Sequence, residues 1–357
     1  MSRNLQPYNP LKLRPLEETG RAYAGAWRAM VLIILLVGVL APVLSQAEDS
    51  VYEPLPPMPH PADNPTSTEK VELGKMLYFD PRLSGSNWIS CATCHNPSLG
   101  FGDGLSRALG HGQKELGRHS PTVINSGYFD AQFWDGRATT LEEQALGPIQ
   151  APGEMNQKMD DLLKELAAIP GYVAKFKRVF GTSVITPGNI GKAIAAFERS
   201  IVSKNAAYDR YWKGDKKAMS ASAVSGMNLF FGKAKCSICH NGPILSDGKF
   251  HNIGVRNHGP LKEDAGRFNV TKEGNDKGAF KTPGLRHITR SAPYMHDGSE
   301  VTLMDVIEFY DRGGDVKKNL SPYITPLNLS RQEKLDLVEF MKALEGEPIL
   351  ITLPVLP

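Results

Sequence analysis

Cysteine is scarce in this 357-residue chain, with four in all. Four thiols exclude a disulfide-dense scaffold, and the chain is long enough to bury a core without staples. Charge of one sign is also missing. The formal net charge is +3, and Arg3, Lys12, Arg14, Arg21 and Arg28 against Glu17 and Glu18 account for it within residues 1–47. The rest of the chain carries 36 basic and 36 acidic residues. It therefore lacks the basic surplus that grips a phosphate backbone, and nucleic acid is excluded as a partner. Long hydrophobic runs are absent after residue 47. Before it, Ala29 to Leu44 is an uncharged run of 16 residues, preceded by a basic stretch and followed by Ser45-Gln46-Ala47. That order describes a signal peptide over residues 1–47, and the run falls short of the ~20 apolar residues of a membrane span. The alternative is an uncleaved anchor in the inner membrane. Either way, the remainder is expected to be exported to the periplasm.

What the chain does have is a pattern in those cysteines. All four fall in two C-x-x-C-H motifs, Cys91-Ala-Thr-Cys94-His95 and Cys236-Ser-Ile-Cys239-His240. Two disulfides would use the thiols but leave the adjoining histidines unexplained. A thioredoxin-like pair needs neither the His nor a second copy, and zinc would not account for both histidines. In c-type cytochromes the two thiols of this motif add to the vinyl groups of a haem, and the His supplies an axial nitrogen. Two covalently bound haem c groups are therefore expected.

The motifs have related surroundings. Gly74-Lys-Met-Leu-Tyr-Phe79 precedes the first and Gly226-Met-Asn-Leu-Phe-Phe231 the second, each reading as a helix that leads into the haem turn. Asp160 to Phe180 and Thr186 to Tyr208 read as amphipathic helices, the second opening on a Thr-Pro cap. Strand signals are few, with Lys249 to Val255 the best. The expected fold is mostly α, two cytochrome c-like haem domains with few short strands. The Lys-rich stretch Lys213 to Ser225 places the boundary, giving domains 48–215 and 216–357.

From about Thr68 to Glu345 the chain resembles the bacterial dihaem cytochrome c peroxidases and their MauG relatives. The segments that carry the resemblance include Phe133-Trp-Asp-Gly-Arg137, Glu143-Gln144-Ala145, Phe280-Lys-Thr-Pro283 and Ala292-Pro-Tyr-Met-His-Asp-Gly298. It implies an enzyme whose N-terminal haem reacts with hydrogen peroxide and whose C-terminal haem relays electrons. It implies His95 and His240 as proximal iron ligands. It places Tyr310 where peroxidases carry a distal Met on the second haem and MauG proteins carry Tyr; periodicity alone makes Tyr310 a core residue. A phenolate donates more charge to ferric iron than a thioether, which lowers the potential and stabilises higher oxidation states. Met295 is the rival ligand, but it lies in the preceding loop.

The same resemblance implies Gln144 and Glu154 as the peroxide pocket, because O–O heterolysis needs a group to move a proton and a polar partner to orient it. Trp134 matches a tryptophan between the haems, a relay that can also be core packing. His111, flanked by glycines, stands where many peroxidases keep a removable sixth ligand on the first haem, a mark of that branch. Ala234 replaces the surface Trp through which MauG passes charge, leaving Trp212 or a tyrosine as exit. Relatives hold a calcium ion between the haems; Ser291 and Pro293 match two carbonyl ligands, and His119 falls on the third, an Asn position. Of the other histidines, His251 and His296 are expected near the second haem, and His60, His258 and His287 on the surface or in loops. The functional expectation is a MauG-like oxidation of a partner protein, as in the maturation of tryptophan tryptophylquinone in the methylamine dehydrogenase precursor. The first alternative is a cytochrome c peroxidase fed by a small cytochrome c or cupredoxin, and the second a dihaem electron carrier.

Overall fold

A computed structural model describes residues 52–259 and 263–357. The expected signal or anchor segment lies outside the described residues. Among those described, no helix is long and apolar enough to cross a membrane. The protein is mostly helical. Its helices are α1 (Thr68–Phe79), α2 (Cys91–Cys94), α3 (Leu141–Gln150), α4 (Met159–Ala167), α5 (Pro170–Phe180), α6 (Pro187–Glu198), α7 (Ala207–Trp212), α8 (Ala221–Phe231), α9 (Phe268–Thr271), α10 (Leu303–Asp311) and α11 (Arg331–Ala343). The strand expected over Lys249 to Val255 is short: β1 (Phe250–His251) pairs antiparallel with β2 (Phe280–Lys281). Most of the long helices start at a capping oxygen, as at Ser67, Thr140, Thr186, Ser220, Thr302 and Ser330.

Two of the expected helices are interrupted. Residues 160–180 form α4 and α5 rather than one helix, because Pro170 has no N–H to continue the ladder and Ile169 turns extended. Residues 186–208 break after Glu198, and the chain runs irregularly to α7, with Asn205 at φ 54°.

Among the described residues there are two hydrophobic cores. The first gathers Leu73, Leu77, Ile149, Phe176, Ile194 and Phe197. The second gathers Tyr208, Phe230, Ile307, Leu337, Phe340 and Leu344. Each is built on one close helix crossing. A Cβ on Gly74 would meet the Ala193 carbonyl oxygen at 1.8 Å, bringing α1 onto α6; a Cβ on Gly226 would meet the Asp336 oxygen at 1.9 Å, bringing α8 onto α11. Two segments cross between cores: Tyr52 packs on the second, Ile349 and Ile351 on the first.

A repeat extends well beyond the cysteine motifs. Gln132 bridges Ala138 as Tyr294 bridges Glu300. Phe133 and Gly136 take positive φ, and so do Met295 and Gly298. Thr140 caps α3 as Thr302 caps α10. In this register Trp134 corresponds to His296, His119 to Lys281, and Pro148 to Tyr310. The two halves also bond reciprocally, since the His119 N–H donates to the His296 carbonyl and the Lys281 N–H to the Trp134 carbonyl, each at 2.8 Å.

Candidate functional site: one cavity holding both C-x-x-C-H motifs

A single cavity of about 820 Å³ is lined by Cys91, Cys94 and His95 at one end and Cys236, Cys239 and His240 at the other. All four cysteines are free thiols, so the disulfide alternative does not hold. Burial pushes Cys94 and Cys236 up to about 12 and Cys239 to about 11. The histidines are held alike. His95 Nδ1 lies 3.2 Å from the Phe101 carbonyl, and His240 Nδ1 lies 3.0 Å from the Leu245 carbonyl. A carbonyl only accepts, so Nδ1 carries the proton and Nε2 is the nitrogen left for a metal. Burial pulls both imidazoles below their usual range, which favours the neutral, ligating form. Paired thiols, an adjoining oriented imidazole and a largely apolar wall form the donor set that c-type haem requires, and the residues fit it.

Near the first motif the cavity is lined by Trp134, Gln144, Pro148 and Glu154. Gln144 and Pro148 project from α3, and Glu154 follows in the loop beyond it. Burial pushes the Glu154 carboxyl above the usual carboxylate range, with Arg137 pulling against it. The indole N–H of Trp134 donates to the His119 carbonyl at 2.9 Å, which fixes the ring between the two halves. His111 does not line the cavity. Its backbone N–H donates to the Glu154 carbonyl at 2.7 Å, and its buried Nδ1 has no hydrogen-bond partner. Gly110 lies so close that a Cβ there would come within 1.9 Å of the Gly153 oxygen, so the His111 loop is packed onto the Glu154 loop.

Near the second motif, Tyr310 on α10 and Met295 in the preceding loop both line the cavity. Burial, then the nearby Cys236 and Cys239, pushes the Tyr310 phenol upward. His251 lines the cavity, its Nε2 2.9 Å from Asp247, and His296 stacks on Phe280 with centroids 3.6 Å apart. His287 lies buried in a loop turn, while His60 and His258 are exposed. Ala234 is buried, and Trp212 stacks on Tyr52 at 5.8 Å.

Two lining residues had not been singled out in the sequence. Glu198 ends α6 with one buried carboxylate oxygen unpaired, and burial pushes it up to about 8. Its signal was a charge at the helical spacing of Ile190 and Ile194 on an otherwise apolar face. Lys281 donates to the Ala131 carbonyl at 2.8 Å and lies 4.2 Å over the Phe129 ring; burial pulls it down to about 7.

A profile of the di-haem cytochrome c peroxidase family matches residues 68–217. The methylamine utilization protein MauG of Methylorubrum extorquens is 46% identical over 301 residues, covering 84% of this chain and 85% of that protein. The chain belongs to the di-haem cytochrome c peroxidase and MauG family. Members are haem-dependent oxidoreductases, and membership implies two haem c groups for the two motifs. The cytochrome-c peroxidase IdrP1 of a Pseudomonas species is 40% identical, covering 85% of this chain and 88% of its own. Among solved structures, a MauG-like protein associated with microbial copper homeostasis superposes with a TM-score of 0.77 at 32% identity, covering 83% of this chain and 95% of that one.

Proposed function

We propose that the exported chain uses hydrogen peroxide to withdraw electrons from a periplasmic partner protein, in the manner of MauG. The relatives on both branches name the chemistry, and Tyr310 favours the MauG branch. What supports that choice is the internal repeat. Pro148 and Tyr310 occupy corresponding turns of α3 and α10, and both line the cavity. A proline ring offers iron no donor, whereas a phenol does. The first site is thus left open at the position where the second is closed.

Cys91, Cys94 and His95 would hold one haem, and Cys236, Cys239, His240 and Tyr310 the other. When bound, these haems supply the reduction of peroxide and the storage of its two oxidising equivalents. Glu154 takes the proton from the near peroxide oxygen and delivers it to the far one, and Gln144 orients the molecule by hydrogen bonding. Burial suits Glu154 to that task by holding its proton more tightly than a solvated carboxyl would. Water leaves with the far oxygen, and two electrons from the partner, with two protons, complete the reduction to two waters. Trp134 lies between the halves and carries electrons across. Burial makes the Tyr310 phenol resist ionisation, and a ferric ion held at His240 would reverse that preference, as metals do for bound acids. In MauG-containing systems the partner is the methylamine dehydrogenase precursor, and that is the substrate proposed here.

The second reading is a cytochrome c peroxidase drawing electrons from a small cytochrome c or cupredoxin. His111 favours it, because an unpaired imidazole nitrogen beside the Glu154 loop can serve as a removable ligand. Tyr310→Met in the holoprotein separates the two. The expected result is a higher midpoint potential at one haem and an unchanged one at the other, with a His/Met spectrum. Unaltered potentials at both would return Tyr310 to core packing.

A further inference from the structure

We infer that Trp88 is the point at which electrons from the partner protein enter this chain, beside the first C-x-x-C-H motif, an inference that rests on the peroxide-driven oxidation proposed above. Trp88 is 86% exposed, although tryptophan is among the side chains most covered on average. Among the described residues, no ring, cation or hydrogen bond engages it. The other two described tryptophans are occupied, since Trp134 donates to the His119 carbonyl in the seam and Trp212 stacks on Tyr52. A large rigid aromatic that stands clear of its surroundings is the type of anchor that dominates protein interfaces.

The turn that displays this indole is tightly held. Buried Ser84 accepts the Asn87 N–H at its carbonyl, 3.0 Å, and the Ile89 N–H at its Oγ, 3.1 Å. Asn87 takes φ 57°, a conformation its short polar side chain tolerates. The Gly85 N–H donates to the Met155 carbonyl at 2.9 Å, and a Cβ on Gly85 would come within 2.3 Å of the Asn156 oxygen. The turn is thereby clamped to the loop that carries Glu154. Ile89 already lines the cavity, and Cys91 is three residues beyond Trp88, at most about 11 Å along the chain. Electrons therefore have a short covalent route from the indole to the Cys91 sulfur. The indole gives up one electron inward and its N–H proton to water; an electron and a proton from an oxidisable side chain of the partner restore it.

With no partner present, the oxidising equivalents should fall on Trp88 itself. The indole then loses two electrons, water adds one oxygen and two protons leave, so that tryptophan and hydrogen peroxide give hydroxytryptophan and one water. The test mixes the holoprotein with excess hydrogen peroxide and no reductant, follows the haem spectra and maps the peptides by mass spectrometry. Trp88 should gain one oxygen ahead of Trp134 and Trp212, and Trp88→Phe should return to the resting spectrum several-fold more slowly than wild type. A spectral change at the haems that leaves Trp88 unmodified and decays alike in both proteins overturns the inference alone. Modification of Trp88 that persists when cyanide occupies the irons is direct attack on an exposed indole and overturns it too. No spectral change at either haem overturns both the inference and the peroxide reaction beneath it. Should the variant fail to fold, the wild-type peptide map decides alone.

Discussion

Two carboxyls in one cavity, Glu154 half-buried and Glu198 buried, carry the chemistry most exposed to test. Glu154 lines the pocket near the first motif with its proton held up by burial, and Arg137 pulling it down. Glu154→Gln keeps the size and polarity but removes the proton acceptor. The haem spectra should survive, while reaction with peroxide slows by about 100-fold, the low end for a lost general acid–base. Stopped-flow rates unchanged from wild type would make Glu154 a loop carboxylate that happens to be buried. Glu198 has a different task, since it has no charged partner at its orphan oxygen. Its folded value of about 8 exceeds the usual 4.5, so the unfolded chain ionises first and stability falls as pH rises between those limits. Glu198→Gln should flatten that fall, with denaturation midpoints matching wild type at the acid end and exceeding it at the alkaline end. Parallel pH curves for the two proteins would contradict it.

Among the elements, the two glycine crossings decide whether each core closes. Gly226→Ala drives a methyl into the Asp336 carbonyl, where backbone rather than a flexible side chain must yield. Overpacking of that kind costs about 1–3 kcal/mol, so the melting temperature of the holoprotein should drop while both haems stay attached. An unshifted melting temperature would mean that α8 and α11 are not held as close as described. The glycines were legible in the sequence because each stands at the start of an aromatic helical run before a C-x-x-C-H. The cap at Thr186 was legible for the same reason, being local. The break at Pro170 was masked by apolar spacing that continues in phase on both sides. The Trp134/His296 and Pro148/Tyr310 correspondence was hidden more deeply. Backbone turns, caps and bridges repeat there, while the side chains that would display the repeat have diverged. His119 shows why site geometry exceeds motif reading: its position was legible, but its hydrogen bonds to the Leu105 and His296 carbonyls depend on the docking of distant segments.

At the scale of the whole molecule, the halves share one cavity rather than keeping two. Reciprocal hydrogen bonds from His119 and Lys281 hold the seam, and Trp134 and His296 lie on it from opposite sides. Tyr52 and Ile351 lock it further, because each is packed on the other half's core. Such a construction suits two redox centres that act as one store of oxidising equivalents. If Tyr310 closes the second centre and Pro148 leaves the first open, as proposed, no prior reduction is needed. Stopped-flow mixing of the fully oxidised holoprotein with one equivalent of hydrogen peroxide, monitored at both haems, measures this directly. The expected result is a prompt spectral change at both haems without any reductant. No reaction until an electron is supplied would show that the first haem is closed, with His111 as the residue closing it, and would contradict the MauG-like account.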